Sequence, residues 1–253
     1  MKKAVFALLQ VSMLGTFAVA GAGQTPTIDQ SLNLRSAAGP RISPDGRYVA
    51  YQVQKTNWEE NAFETEIWLA ATSTGERYQL TNAKKSSTSP QWSPDSRRIG
   101  FVSDRDGKRQ IYLIAPNGGE ALQLTNVETG VSALAWSPDG RRIAFTSADP
   151  DTKARKDRKE KYGEFETVQA DYTFTHLWMI DVPAEVQDKK PEPVRLTEGS
   201  SFSVGAFSWS PGSSRIAFSA ADVRIGLAEE MAATALSAIR RHEQFNVGPV
   251  ATV

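Results

Sequence analysis

The apolar positions of this chain fall in short runs, broken at near-regular intervals by polar turns, and one phrase recurs. After Ser137-Pro138-Asp139-Gly140, the residues Ile143, Phe145 and Ser147 alternate with Ala144 and Thr146, the period of two that a strand requires. The phrase is written three more times. It stands as Ser43-Pro44-Asp45-Gly46 before Tyr48–Tyr51, as Ser93-Pro94-Asp95-Ser96 before Ile99–Phe101, and as Ser210-Pro211-Gly212-Ser213 before Ile216–Phe218. Proline presets the backbone for a turn, Asp and Ser side chains bond nearby amides, and glycine tolerates positive φ. Each copy therefore reads as strand, turn, strand.

Two further signals sit inside each unit. An aromatic-aliphatic run comes first, as Ile67-Trp68-Leu69, Ile111-Tyr112-Leu113-Ile114 and Leu177-Trp178-Met179-Ile180, and a Leu-Thr pair closes the unit at Leu80-Thr81, Leu124-Thr125 and Leu196-Thr197. Ser93 and Ser137 lie 44 residues apart, within the roughly 40–45-residue period of a propeller blade. A blade packed between two neighbours is apolar on both faces, which explains runs that do not alternate. The fold class this predicts is all-β: an incomplete β-propeller of four-stranded antiparallel blades, three complete and half of a fourth, with a C-terminal helical tail.

The organisation follows from the same marks. Met1-Lys2-Lys3, the apolar run to Val19 and the small residues through Ala22 form the three parts of a secretory signal over 1–22. A lead-in over 23–39, read as a short helix or irregular segment, is expected to pack on the first blade. The partial propeller spans 40–220, with blades at about 40–82, 90–126, 131–198 and 206–220. An insertion at 149–175 stretches the third blade. It opens with Lys153, Arg155, Lys156, Arg158, Lys159 and Lys161 among Asp157 and Glu160, read as a solvated loop of mixed charge. The stretch 221–253 breaks the register, with apolar residues at helical spacing.

Composition narrows the function. Zero formal net charge excludes a general nucleic-acid binder, and the absence of cysteine leaves neither a disulfide framework nor a lipoprotein anchor. The chain is expected to be exported, periplasmic or secreted, and free of the membrane once the signal is cleaved.

The Ser-Pro-Asp-Gly turns at 43–46 and 137–140, the variant at 93–96, and the run Asp171-Tyr172-Thr173-Phe174-Thr175-His176-Leu177-Trp178 resemble the TolB-like N-terminal propeller of prolyl-oligopeptidase-type (S9) serine peptidases, of the acylaminoacyl-peptidase or dipeptidyl-peptidase kind. The resemblance covers about residues 27–220. It implies a propeller that gates peptide access to an α/β-hydrolase domain, with peptides as the partners of the intact enzyme. The alternative is a TolB-like periplasmic module that binds proteins.

Nucleophilic acyl transfer requires an activated Ser, commonly on a Gly-x-Ser-x-Gly turn, with a His base. The chain contains no Gly-x-Ser-x-Gly and two histidines, His176 at the start of a strand and His242 in the aberrant tail. Asp45, Asp95 and Asp139 form a tempting carboxylate set but occupy equivalent turns. Glu59, Glu60, Glu164 and Glu166 are the acids on long loops that could face a substrate amine, as paired glutamates do in the dipeptidyl-peptidase branch. No catalytic, cofactor or metal residue is assigned, and the substrate-binding residues are not legible. An open arc leaves strand edges in water, so self-association through that edge is expected.

Overall fold

The computed structural model of the chain describes residues 25–164, 172–183, 190–222 and 251–252. The expected signal segment over 1–22, most of the tail from 221 on with His242, and Phe165 and Glu166 of the insertion lie outside the described residues. The chain divides into residues 1–33 and 34–253. In the first unit, helix α1 (Ile28–Leu32) is capped by Thr27, whose hydroxyl accepts from the Gln30 amide while the Gln30 side chain accepts from the Thr27 amide, a reciprocal capping box. It buries none of its residues. Ile28 and Leu32 are exposed.

The second unit consists of four antiparallel sheets taken in chain order. The first contains β1 (Ser36–Ile42), β2 (Tyr48–Asn57), β3 (Ala62–Ala71) and β4 (Arg77–Gln79). The second contains β5 (Ser87–Trp92), β6 (Ile99–Ser103), β7 (Gln110–Ile114) and β8 (Leu122–Gln123). The third is built from β9 (Ala133–Trp136), β10 (Arg142–Ala148), β11 (Thr175–Asp181) and β12 (Val194–Arg195), with helix α2 (Lys153–Tyr162) between β10 and β11. In the fourth, β14 (Arg215–Asp222) pairs on one side with β13 (Phe202–Trp209) and on the other with β15 (Ala251–Thr252). These are the blades of an incomplete propeller.

The alternation of side chains within a strand splits each run between two seams. In β7, Tyr112 and Ile114 join Ala50, Ile67, Leu69 and Trp92 in the seam with the first blade. Ile111 and Leu113 join Leu134, Ile143, Phe145 and Ile180 in the seam with the third. Ala144 and Leu177 turn to Val204 and Ile216 of the fourth. Every residue of β6 and β7 is buried, which is why these strands read as continuous apolar runs. Each fully buried Ile or Leu contributes about 1.5–3 kcal/mol.

Three differences from the sequence reading have physical causes. The blades begin earlier than expected, at Ser36, Ser87 and Phe202, because Gly39-Pro40, Ser89-Pro90 and Gly205-Ala206 are bulges inside the first strands, each admitting one extra residue. Gly39 and Ser89 sit there at φ 61° and 55°. The start of the insertion is a helix, α2, capped by the Thr152 hydroxyl; it is solvated as expected, since it buries none of its residues. In the fourth blade, where no third strand is legible, Ala251–Thr252 pairs with Arg215 and Ile216.

Candidate functional site

The repeated turn is a closed hydrogen-bond circuit. In the first copy the Ser43 hydroxyl donates to Asp45 Oδ1 at 2.6 Å and accepts from the Tyr48 amide at 3.0 Å, while the Arg47 amide reaches Asp45 Oδ1 at 3.1 Å. Ser93 with Asp95, and Ser137 with Asp139, repeat it. The Ser43 hydroxyl, then the Arg47 amide and guanidinium, hold the Asp45 carboxyl down to about 2. The Ser137 hydroxyl lowers Asp139 in the same way, and at Asp95 burial opposes but is outweighed by the Ser93 hydroxyl and the Arg97 amide. The three aspartates serve three separate turns and do not converge.

The turns also join blade to blade. Ser96 and Ser213 occupy the glycine position at φ 61° and 56°, and their hydroxyls accept the Asp45 and Asp139 amides of the preceding copies at 3.0 Å. Left-handed backbone costs a non-glycine residue roughly 1–2 kcal/mol, and a neutral hydrogen bond returns about 1 kcal/mol. Ser96→Gly is therefore expected to be nearly neutral in a denaturant melt, whereas Ser96→Ala, which keeps the strain and loses the bond, is expected to cost about 1 kcal/mol.

A tryptophan ladder runs alongside. Trp92, Trp136 and Trp209 donate their indole N–H to the carbonyls of Arg41, Gln91 and Ala135, at 2.9, 3.1 and 3.1 Å. Each acceptor lies one residue before the equivalent position of the preceding blade. The first blade has Ile42 at that position, and it is 68% exposed.

The residue before each aromatic-aliphatic run is a buried polar clasp, one that sequence reasoning missed. Glu66, Gln110 and His176 are equivalent, and each bonds the closing threonine, Thr81, Thr125 or Thr197, whose hydroxyl also accepts the amide of Ile67, Ile111 or Leu177 at 2.9 Å. The recurring Leu-Thr pair was the available signal, since a buried hydroxyl requires a partner.

His176 is wholly buried. Its Nδ1 lies 3.2 Å from the Thr197 hydroxyl and its Nε2 3.1 Å from the Gly199 carbonyl, so the neutral ring carries its proton on Nε2. Burial, then the Arg195 charge, push its pKa below the ordinary value, against the pull of Asp149, whose Oδ2 is 3.4 Å from Nε2. With both nitrogens engaged, the ring is not a general base. Because the unfolded chain binds the proton more tightly, stability is complete above about pH 6.5 and is lost as pH falls from there toward the lowered folded value. His176→Gln, which copies the second blade, is expected to flatten that slope below about pH 6.5 and to leave melts above it unchanged in their pH dependence.

Strand alternation sorts the connections onto two faces. The repeated turns and the β3–β4 and β7–β8 turns share one; Thr72 of the former donates to the Gly46 carbonyl at 2.7 Å. The β2–β3, β6–β7 and β10–β11 connections share the other with the links between blades, as the contacts of Glu60 with Lys85 at 4.0 Å and Glu128 with Lys156 at 2.9 Å show. This second face carries a cavity of about 240 Å³ lined by Ser86, Thr88, Val102, Ser103, Asp104 and Arg109. Hydroxyls, one carboxylate and one guanidinium can recognise a polar group; they include no nucleophile paired with a base. Glu59 and Glu60 lie exposed on the β2–β3 tip, and Glu164 is exposed beside Lys159 at 3.5 Å. The structure brings Glu59 and Glu164 to the same face but on different blades. Among the described residues no group of three or more His, Cys, Asp or Glu is placed to hold a metal ion, and no helix is long and apolar enough to cross a membrane.

Successive four-stranded sheets joined through a repeated turn and an indole ladder define a β-propeller. The chain belongs to the TolB beta propeller domain family (PD40), which matches residues 24–163. It is 38% identical over 81 residues to the uncharacterized peptidase YuxL of Bacillus subtilis, covering 32% of this chain and 12% of that one. To dipeptidyl-peptidase 5 of Porphyromonas gingivalis it is 25% identical over 115 residues, covering 44% and 17%. The matched stretches thus span less than a fifth of these curated relatives. Among solved structures, an acylaminoacyl peptidase in complex with Z-Gly-Gly-Phe-chloromethyl ketone superimposes with a TM-score of 0.49 at 20% identity, over 65% of this chain and 26% of that one. TolB from Acinetobacter baumannii gives 0.43 at 18% identity, over 75% and 52%. The propeller shares its family with TolB, and stretches of its sequence with two peptidases.

Proposed function

We propose that this chain is the non-catalytic propeller portion of an exported S9-family serine peptidase, where it would gate the passage of peptides to an α/β-hydrolase domain. The observation that carries this reading is the 38% identity to a peptidase over 81 residues, joined to a sequence without a Gly-x-Ser-x-Gly. Export rests on the charged, apolar and small-residue segments of 1–22, and peptides are the partners of the intact enzyme.

The purified chain is expected to hydrolyse no fluorogenic di- or tripeptide, and the locus that encodes this sequence is expected also to encode a Gly-x-Ser-x-Gly hydrolase domain. Hydrolysis that a serine-directed inhibitor abolishes would contradict the first expectation. A locus lacking any such domain would contradict the second and favour a TolB-like binding module.

A further inference from the structure

Two structures rise from the cavity-bearing face, and their chemistry is complementary. On the first blade, β2 and β3 stay paired four residues beyond the position at which β6 and β7 part, through Gln54↔Thr65, Lys55↔Glu64, Thr56↔Phe63 and Asn57↔Ala62. At ~3.3 Å per residue this lifts the tip about 13 Å. The tip is pre-shaped: Asn57 donates to Glu64 Oε1 and accepts from the amides of Glu59 and Glu60 at 3.0 and 3.1 Å, and Asn61 turns the chain at φ 47°. It presents Trp58, 54% exposed, and Phe63, 58% exposed, beside the carboxylates of Glu59 and of Glu60, the latter 4.0 Å from Lys85, while Lys55 is taken up by Glu64 at 3.6 Å.

On the third blade α2 carries six basic and two acidic side chains in the sequence KARKDRKEKY. Lys156, Lys159 and Arg155 are engaged by Glu128, Asp151 and Glu164. Lys153 and Lys161 project from the exposed side, and Lys161 lies 4.9 Å over the ring of Tyr162, itself 65% exposed. Between the two walls the second blade has only the short Asp104–Arg109 connection.

We infer that this face is a self-complementary docking surface for a second copy of the chain. An acidic aromatic wall and a basic aromatic wall on one face, either side of a low middle, fit a two-fold axis through that middle. The β2–β3 tip of each copy then meets α2 of the other, and both contacts form together, as an isologous interface requires. Exposed aromatics flanked by opposite charge are the residue types that anchor interfaces, and a tip already held in shape loses little entropy on docking. This surface is separate from the open blade edge and does not depend on the proposed peptidase role.

Sedimentation velocity of the full chain across a concentration series tests it. A monomer–dimer equilibrium is expected, weakened about tenfold or more between 50 and 500 mM NaCl. Glu59→Lys with Glu60→Lys should weaken it at least tenfold, as should Lys153→Glu with Lys161→Glu, each without loss of the far-UV circular dichroism signal. Mixing the two variants should restore a mixed dimer, because every tip–helix contact in one arrangement is again opposite in charge. Absence of self-association overturns the inference. So does association indifferent to either reversal, which would mark the open edge, and so does failure of the mixture to restore dimer.

Discussion

Trp92→Ala is expected to cost about 3–5 kcal/mol, a large share of the 5–15 kcal/mol typical of a folded domain. Trp92 is buried between the first and second blades. Its ring stacks on Tyr48 with centroids 6.4 Å apart, and its indole N–H reaches the Arg41 carbonyl at 2.9 Å. Alanine removes the contact surface, leaves a cavity and strips the carbonyl of its donor. Trp92→Phe keeps a ring in the seam and is expected to lose about 1 kcal/mol, the value of the hydrogen bond. Urea melts followed by far-UV circular dichroism measure both losses independently of tryptophan emission. A cost below 1 kcal/mol for the alanine variant would mean that the seam between the first two blades is not formed as described.

Thr125→Val is expected to cost about 2–3 kcal/mol although the two side chains have nearly the same shape. The hydroxyl accepts the Ile111 amide at 2.9 Å and donates to Gln110 Oε1 at 2.8 Å, and all three residues are buried. Valine leaves a buried N–H unpaired and takes one donor from Gln110, and each unsatisfied group costs about 1–3 kcal/mol. Gln110 also accepts from the Val127 amide at 3.0 Å and donates to the Val127 carbonyl at 2.8 Å, so the loss extends to the link that starts the third blade. Thr125→Ser, which keeps the hydroxyl and loses a methyl group, is expected to cost about 1 kcal/mol. Equal losses in the two variants would show that the closing threonine acts through packing and not as a clasp.

The blade architecture was legible because one turn chemistry is written four times and because the seams demand apolar residues on both faces of β6, β7 and β10. What escaped was whatever depends on a neighbour outside the local window. Gly39-Pro40 and Ser89-Pro90 carry the letters of a strand boundary, yet a one-residue bulge lets the strand pass through them. Ser96 and Ser213 read as a loosened copy of the glycine turn, while in the fold they accept hydrogen bonds from the previous blade. Glu66, Gln110 and His176 share no side-chain chemistry, so their equivalence shows only once Thr81, Thr125 and Thr197 are set beside them. The solvated character of α2 was visible in its charge; its helicity rests on the Thr152 cap and on straight-chain residues that favour a helix. Of the candidate site residues, the three aspartates are fixed in their turns. Glu59 and Glu60 have their place in the tip that Asn57 shapes, a contact no spacing rule signals.

The chain has no cysteine, so spin labels can be attached at chosen pairs of introduced thiols without background. Arg47, Arg97 and Arg141 hold the same position in three successive turns and are exposed. Pulsed electron–electron distance measurements on the three pairs test most directly whether the units repeat about a common axis. Blades of a propeller are expected to give matching separations for 47–97 and 97–141, with 47–141 clearly shorter than their sum. Unequal neighbouring separations, or a 47–141 distance equal to the sum, would contradict the arrangement of these sheets as successive blades of one ring.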